Sequence, residues 1–144
     1  MCVRRVKYVN EIYWRVTEVK ELFFYTLYKF HAYWDLGKID AGASKRIKNL
    51  LGVDVAGYKV ILRSNELLHF LYRHYNEKQY KQRNVKIQDI EQLSKVVNGF
   101  SYVENTGKSL LFKTHFPNNE LFVVAMEVDE TNKRLLGKSF RIET

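Results

Sequence analysis

From residue 100 to the C-terminus the chain is a succession of short alternating stretches separated by turn signals, and little but a sheet can be built from it. Residues 100–104 run into Asn105-Thr106-Gly107, residues 108–116 are closed by Pro117-Asn118-Asn119, and residues 120–128 are closed by 129–133 before a last stretch at 134–143. Connections this short join neighbouring strands that run in opposite directions, so the segment predicts a four-stranded antiparallel meander. Side chains alternate between the two faces of a strand. One face collects Leu110 and Phe112, then Phe122, Val124 and Met126, then Leu136, Phe140 and Ile142. The other collects Leu111, Lys113 and His115, then Val123, Ala125 and Glu127, then Gly137, Ser139 and Arg141. Strict alternation puts Lys138 on the apolar face; a bulge at Gly137 would turn it round.

Upstream the apolar period changes. Ile12, Val16, Val19, Phe23, Leu27, Phe30 and Trp34 recur at spacings of three and four, which predicts one long amphipathic helix over residues 10–34, ended by Asp35-Leu36-Gly37. Its wealth of aromatics makes a homodimer through this helix an expectation. A second helix is expected over 40–51, with Gly52 as its stop, then an extended stretch at 58–62. A third helix is capped by Ser64 or Asn65, and a fourth covers 89–98 with Gly99 after it. Helices first and strands last give an α+β fold: N-terminal helices followed by a four-stranded antiparallel sheet. The expected division is an aromatic helical unit at 1–40 and an α+β domain at 41–144.

Composition narrows the partner. The 144 residues carry a formal charge of +8, and the excess is uneven. Between Ser44 and Lys86 stand ten Lys and Arg against three acids, whereas from Ser101 onward the two signs balance. A positive field of this kind suits a polyanion such as RNA or another nucleic acid. The single cysteine, Cys2, allows no disulfide within one chain and fits a reducing cytoplasm. No apolar run reaches membrane-spanning length. Glu11, Arg15, Glu18 and Lys20 interrupt the basic N-terminus, so no secretory signal is expected there.

The third helix carries His69 and His74, two of the four histidines. Five residues apart, they point roughly 140° away from each other at about 100° per residue, so they cannot grip one metal as an i, i+4 pair does. Cys2, His31 and His115 add no ligand motif, and neither a metal nor another cofactor is expected. His69 shares a side of the helix with Arg73, whereas His74 follows Leu67 and Leu71, which makes His69 the better candidate to meet solvent. The loop that follows carries Lys78, Lys81, Arg83 and Lys86 with Tyr80 among them. Cations release counterions from a phosphate backbone, and an aromatic ring offers a stacking face.

The order of these motifs is similar to that of the phage-associated nuclease domains of the barnase–EndoU–colicin–RelE superfamily. The similar part runs from Gly57-Tyr58 through His69 and His74, residues 87–97, the strand beginning at Lys108, residues 120–128 and residues 134–140. It covers roughly residues 50 to 142, outside the N-terminal aromatic segment. The resemblance implies a metal-independent ribonuclease of a phage or mobile element, acting in the cytoplasm of a bacterial host. His69 and His74 match the family's H-x4-H helix, Lys113 a basic residue of the second strand, and Lys138-Ser139 a Lys-Ser/Thr pair of the last strand. The implied catalytic set is therefore His69, His74, Lys113 and Ser139. Arg73, Lys78, Lys81, Arg83, Lys86, Lys138 and Arg141 would bind the nucleic acid.

RNA can be cut without a metal because its 2′-hydroxyl is an internal nucleophile. Histidine suits the proton transfers and Lys or Arg the phosphate charge. The competing expectation is a non-catalytic basic phage protein that binds nucleic acid or a host ribonucleoprotein and inhibits it. A toxin held by an inhibitor protein is a further one. Convergence of His69, Lys113 and Ser139 on one cleft would favour catalysis; if they point to separate surfaces, a nuclease built on them fails and the binding module gains.

Overall fold

The computed structural model describes residues 4–8, 11–72 and 82–144. Among them the expected meander is present as β6 (Tyr102–Asn105), β7 (Ser109–His115), β8 (Leu121–Asp129) and β9 (Arg134–Glu143), each antiparallel to the next. It is half of a larger object. β1 (Arg4–Tyr8), β2 (Glu11–Val16), β3 (Ala32–Lys38) and β4 (Lys59–Arg63) extend the sheet beyond β9, in the order β1-β2-β3-β4-β9-β8-β7-β6. The short β5 (Gln82–Arg83) pairs with the end of β9, which makes nine strands among the described residues. The pairs β2–β3 and β4–β9 are parallel, so the sheet is mixed and not a plain meander.

The long helix expected over 10–34 is not formed. Its place is taken by β2, a nine-residue helix α1 (Val19–Leu27) and β3. The spacing of three and four coincides with a strand pattern. Tyr13 and Arg15 point to one side of β2, Trp14 and Val16 to the other, and β-branched and aromatic residues fit such a pleated surface. Lys29, at φ +61°, breaks the chain after α1. Asp35-Leu36-Gly37 is no helix stop; it sits in an irregularity of β3, where the Gly37 N–H donates to Asp35 Oδ1 at 2.9 Å.

The other helices fall close to expectation. α2 (Ala41–Leu51) ends on Gly52 in the left-handed conformation, φ +71°, which glycine adopts without a Cβ penalty. α3 (Ser64–Tyr72) follows β4 directly, and the Ser64 hydroxyl accepts from the Ala32 N–H at 3.4 Å, tying the helix to β3. The fourth expected helix is two short ones, α4 (Ile87–Ile90) and α5 (Leu93–Asn98).

The helices cover one face of the sheet. There Phe112, Phe122, Val124, Met126, Phe140 and Ile142 pack with Leu67 and Phe70 of α3 and with Ile90, Leu93, Val96 and Val97 of α4 and α5 in one buried core. Burial of such side chains is worth about 1.5–3 kcal/mol each and dominates the stability of the domain. A smaller cluster, Tyr13, Tyr33, Ile61 and Leu136, lies on the opposite face. Leu136 was expected in the main core and Gly137 opposite it; the two are exchanged. Ala125 pairs with Ser139 but Met126 pairs with Gly137, so Lys138 is the extra residue of a bulge and the alternation resets there. Gly137 meets α3 closely: a Cβ at this position would lie 3.2 Å from Phe70 Cζ.

Phe24, Leu27, Tyr28, Phe30 and Leu68 leave large apolar surfaces exposed around α1 and α3. Among the described residues no helix is long and apolar enough to cross a membrane.

Candidate nucleic-acid interface and active site

The face of β6–β9 turned away from the helices carries polar side chains in cross-strand rows. Tyr102 lies opposite Lys113, Lys113 opposite Val123 and Val123 opposite Arg141. The neighbouring row on one side is Glu104, Leu111, Ala125 and Ser139. On the other side it is His115, Leu121 and Glu143. Adjacent strands are about 4.8 Å apart, so the backbones bearing Lys113 and Arg141 stand about 10 Å apart across one intervening strand. His115 is exposed, and Lys113, Ser139 and Arg141 are half-buried.

The groups of these rows hold one another in place. The Tyr102 hydroxyl donates to Glu104 Oε2 at 2.8 Å, and this bond, ahead of any burial, pushes the phenol pKa up from its ordinary value. Lys113 Nζ lies 5.3 Å from the centre of the Tyr102 ring, within the range of a cation–π contact. Arg141 Nε donates to Glu143 Oε2 at 3.2 Å. At the bulge, Lys138 Nζ reaches Glu66 of α3 and Glu127 of β8, each at 3.2 Å, and Arg63 approaches Glu66 at 3.6 Å. Beyond the bulge the face opens into a cleft of about 500 Å³ bounded by Arg63, Glu127, Asp129 and Arg134. Arg134 Nε donates to Asp129 Oδ2 at 2.6 Å. Burial works to raise the Asp129 pKa, but the hydrogen bonds from Asn132 and Arg134 outweigh it and hold the carboxyl below its usual value.

The structure divides the residues expected to act together. Lys113, Ser139 and Arg141 share the open face. His69, half-buried, belongs to α3, which is stacked on the covered face with Phe70 against Phe140 at 5.8 Å between ring centres. The sheet therefore lies between the body of α3 and the cations Lys113 and Arg141; at the bulge Lys138 reaches Glu66, in the first turn of α3. His74, Arg73, Lys78 and Lys81 lie outside the described residues, as does Cys2.

Arg83 has another employment. Its guanidinium donates to both carboxylate oxygens of Asp89, at 2.8 Å each, to both of Glu120, and to the Asn84 carbonyl at 3.1 Å. All five of its N–H donors are engaged in joining β5 to α4 and to the start of β8. The Arg83 pKa is raised by its hydrogen bonds to Asp89 and Glu120. Burial works to raise the Asp89 pKa, but the bonds from Arg83 and the Lys86 N–H lower it; the Arg83 bond lowers that of Glu120. Lys86 is exposed, with its backbone N–H bonded to Asp89 Oδ2 at 2.8 Å.

Among the described residues no group of three or more His, Cys, Asp or Glu side chains is arranged to hold a metal ion. What the open face offers is two cations, a hydroxyl, a histidine, carboxylates and an exposed aromatic ring on four adjacent strands. Residues 37–144 match the model of the phage-Barnase-EndoU-ColicinE5/D-RelE like nuclease3 family. The chain belongs to that family. Membership makes it a nuclease-family domain and points to nucleic acid as the substrate class. The match begins within β3 and takes in α2, β4, α3, both short helices and the whole meander, including every strand of the open face. No curated protein and no solved structure matches the chain.

Three members of the open face carry no functional role in the sequence reading. His115 is placed beside Lys113 on the polar face by alternation but given no role there, and Tyr102 and Glu104 are only part of the first strand. The signal for His115 was present: the alternation that turns Lys113 outward turns the residue two positions on outward as well. For Tyr102 and Glu104 the pairing register of β6 with β7 was needed.

Proposed function

We propose that the protein is an endoribonuclease that cuts RNA on the open face of the sheet by attack of a 2′-hydroxyl on the adjacent phosphorus, without a metal. The observation that carries this is that His115 and Lys113 of β7 and Ser139 and Arg141 of β9 lie on one face of the sheet, on either side of β8, within a chain of a nuclease family. Lys113 and Arg141 supply positive charge to the phosphate as negative charge builds on its equatorial oxygens. Ser139 holds a phosphate oxygen or the 2′-hydroxyl by hydrogen bonding. His115 is the proton carrier, since an imidazole is suited to both taking and giving a proton near neutral pH. Glu143, in the same cross-strand row as His115 with Leu121 between them, is the candidate for the second transfer. In balance, the 2′-oxygen loses a proton and bonds to phosphorus, the bond to the 5′-oxygen breaks, and that oxygen takes a proton. The products are a 2′,3′-cyclic phosphate and a 5′-hydroxyl.

His69 then serves α3, and the catalytic role implied for it by the helix motif passes to the strand histidine. The separation of His69 from the strand cations favours one other reading, a protein that grips nucleic acid or a host ribonucleoprotein without cutting it. The test is incubation of the full chain with single-stranded and structured RNA in excess chelator, followed by analysis of the product ends. Cleavage with cyclic phosphate ends is expected. Tight binding with no cleavage of any RNA would replace the nuclease by the binding module.

A further inference from the structure

We infer that Tyr102 is a nucleobase platform: one base of a single-stranded substrate stacks on its ring while the adjoining phosphate lies against Lys113. The inference rests on the assignment of the open face to nucleic acid and adds to it the part of the substrate that the edge strand takes.

Tyr102 is 47% exposed, so its ring is open to a partner. It stands on β6, the last strand of the sheet, at the end of the row that continues through Lys113 to Arg141. Two contacts fix the ring. The hydroxyl is tethered to Glu104 two residues along the same strand, so the ring is held at both ends. The Lys113 ammonium stands 5.3 Å from the ring centre. A ring held in this way has little rotamer freedom left to lose on binding. The cation beside it favours a phosphate next to the stacked base, and stacking accepts every base because each has a π-face. A duplex cannot use this device without giving up a base pair, so the substrate it selects is single-stranded, or a loop or bulge of structured RNA.

The test uses the full chain and short oligonucleotides with 2′-O-methyl sugars, which bind but cannot be cut. A 2-aminopurine at each position in turn reports stacking by loss of fluorescence, and an abasic site at the same position reports its worth. For the wild type, one position should be quenched, and an abasic site there should weaken binding about 5- to 150-fold, the range of a single stacked base. Tyr102→Ala should abolish both the quenching and the abasic penalty. Tyr102→Phe, which keeps the ring and loses the tether to Glu104, should retain them to within a few-fold. Tyr102 is exposed, so these variants fold, and their melting temperatures check it. Equal quenching and an equal abasic penalty in Tyr102→Ala and wild type would overturn the inference, as would preferred binding of duplex over single strand. The same oligonucleotides with ordinary ribose test the chemistry separately. Stacking retained without cleavage would remove the catalytic assignment and leave the platform standing.

Discussion

Arg83 reads as a nucleic-acid contact in the sequence and as a clamp in the structure, and replacement by Met separates the two. The side chain is 30% exposed, while those of Asp89 and Glu120 are 11% and 12% exposed. Removing the cation leaves two largely buried carboxylates facing each other with no guanidinium between them. Breaking a buried ion pair from one side costs about 3–5 kcal/mol. Because Arg83 retains some access to water, the lower end applies, about 3 kcal/mol. For a domain of this size each kcal/mol moves the melting temperature by roughly 2–4 °C, so Arg83→Met should melt about 6–12 °C lower at pH 7. The pH dependence has a definite sign. Both carboxyls have pKa values below their ordinary ones in the folded chain. Their contribution is complete above the unfolded values, near pH 4, and is lost as the pH falls through the folded ones. The gap in melting temperature between wild type and variant should therefore be full at pH 7 and close progressively below about pH 4. Thermal denaturation followed by circular dichroism measures it, with RNA affinity measured where both proteins are folded. A variant that melts with the wild type but binds RNA markedly more weakly would refute the clamp and restore Arg83 as a phosphate ligand.

The remaining predictions concern the sheet. Gly137→Val should destabilise the protein by about 1–3 kcal/mol in chemical denaturation, because its first added carbon already meets Phe70 at 3.2 Å. Lys113→Met and Arg141→Met should each weaken binding across RNA sequences and lower the slope of log affinity against log salt by about 0.7, one phosphate contact each on a single strand. In the same titration Lys86→Met, lying away from the open face, should leave the slope unchanged.

The meander was legible because its strands alternate strictly and its turns are short. Phe112, Phe122, Val124 and Phe140 are in the core for the reason their spacing gives. α2 was legible because Gly52 marks its end with a residue that tolerates positive φ. The N-terminal strands were not, because Ile12, Val16, Val19 and Phe23 satisfy a helical spacing while the first two lie on a strand and the last two on a helix. Nothing local shows that β4 will insert beside β9; parallel neighbours far apart in sequence are chosen by the packing of the whole sheet. The candidate site divides in the same way. Lys113, Ser139 and Arg141 follow from alternation and stand together. The helix histidine was joined to them by order along the chain, and order does not say on which side of a sheet a helix lies. The bulge at Lys138 decided the direction of Leu136 and Gly137, and one residue of slip exchanged them.

The claim that the open face of the sheet is the catalytic surface is tested most directly by cleavage of one RNA, in chelator, by the wild type, His115→Gln and His69→Gln at equal folded concentration. The wild type should cut, His115→Gln should lose about 100- to 10,000-fold in rate, the worth of a proton carrier, and His69→Gln should stay within a few-fold of wild type. Loss of cleavage in His69→Gln with His115→Gln left active would place the chemistry on the helix and contradict the account.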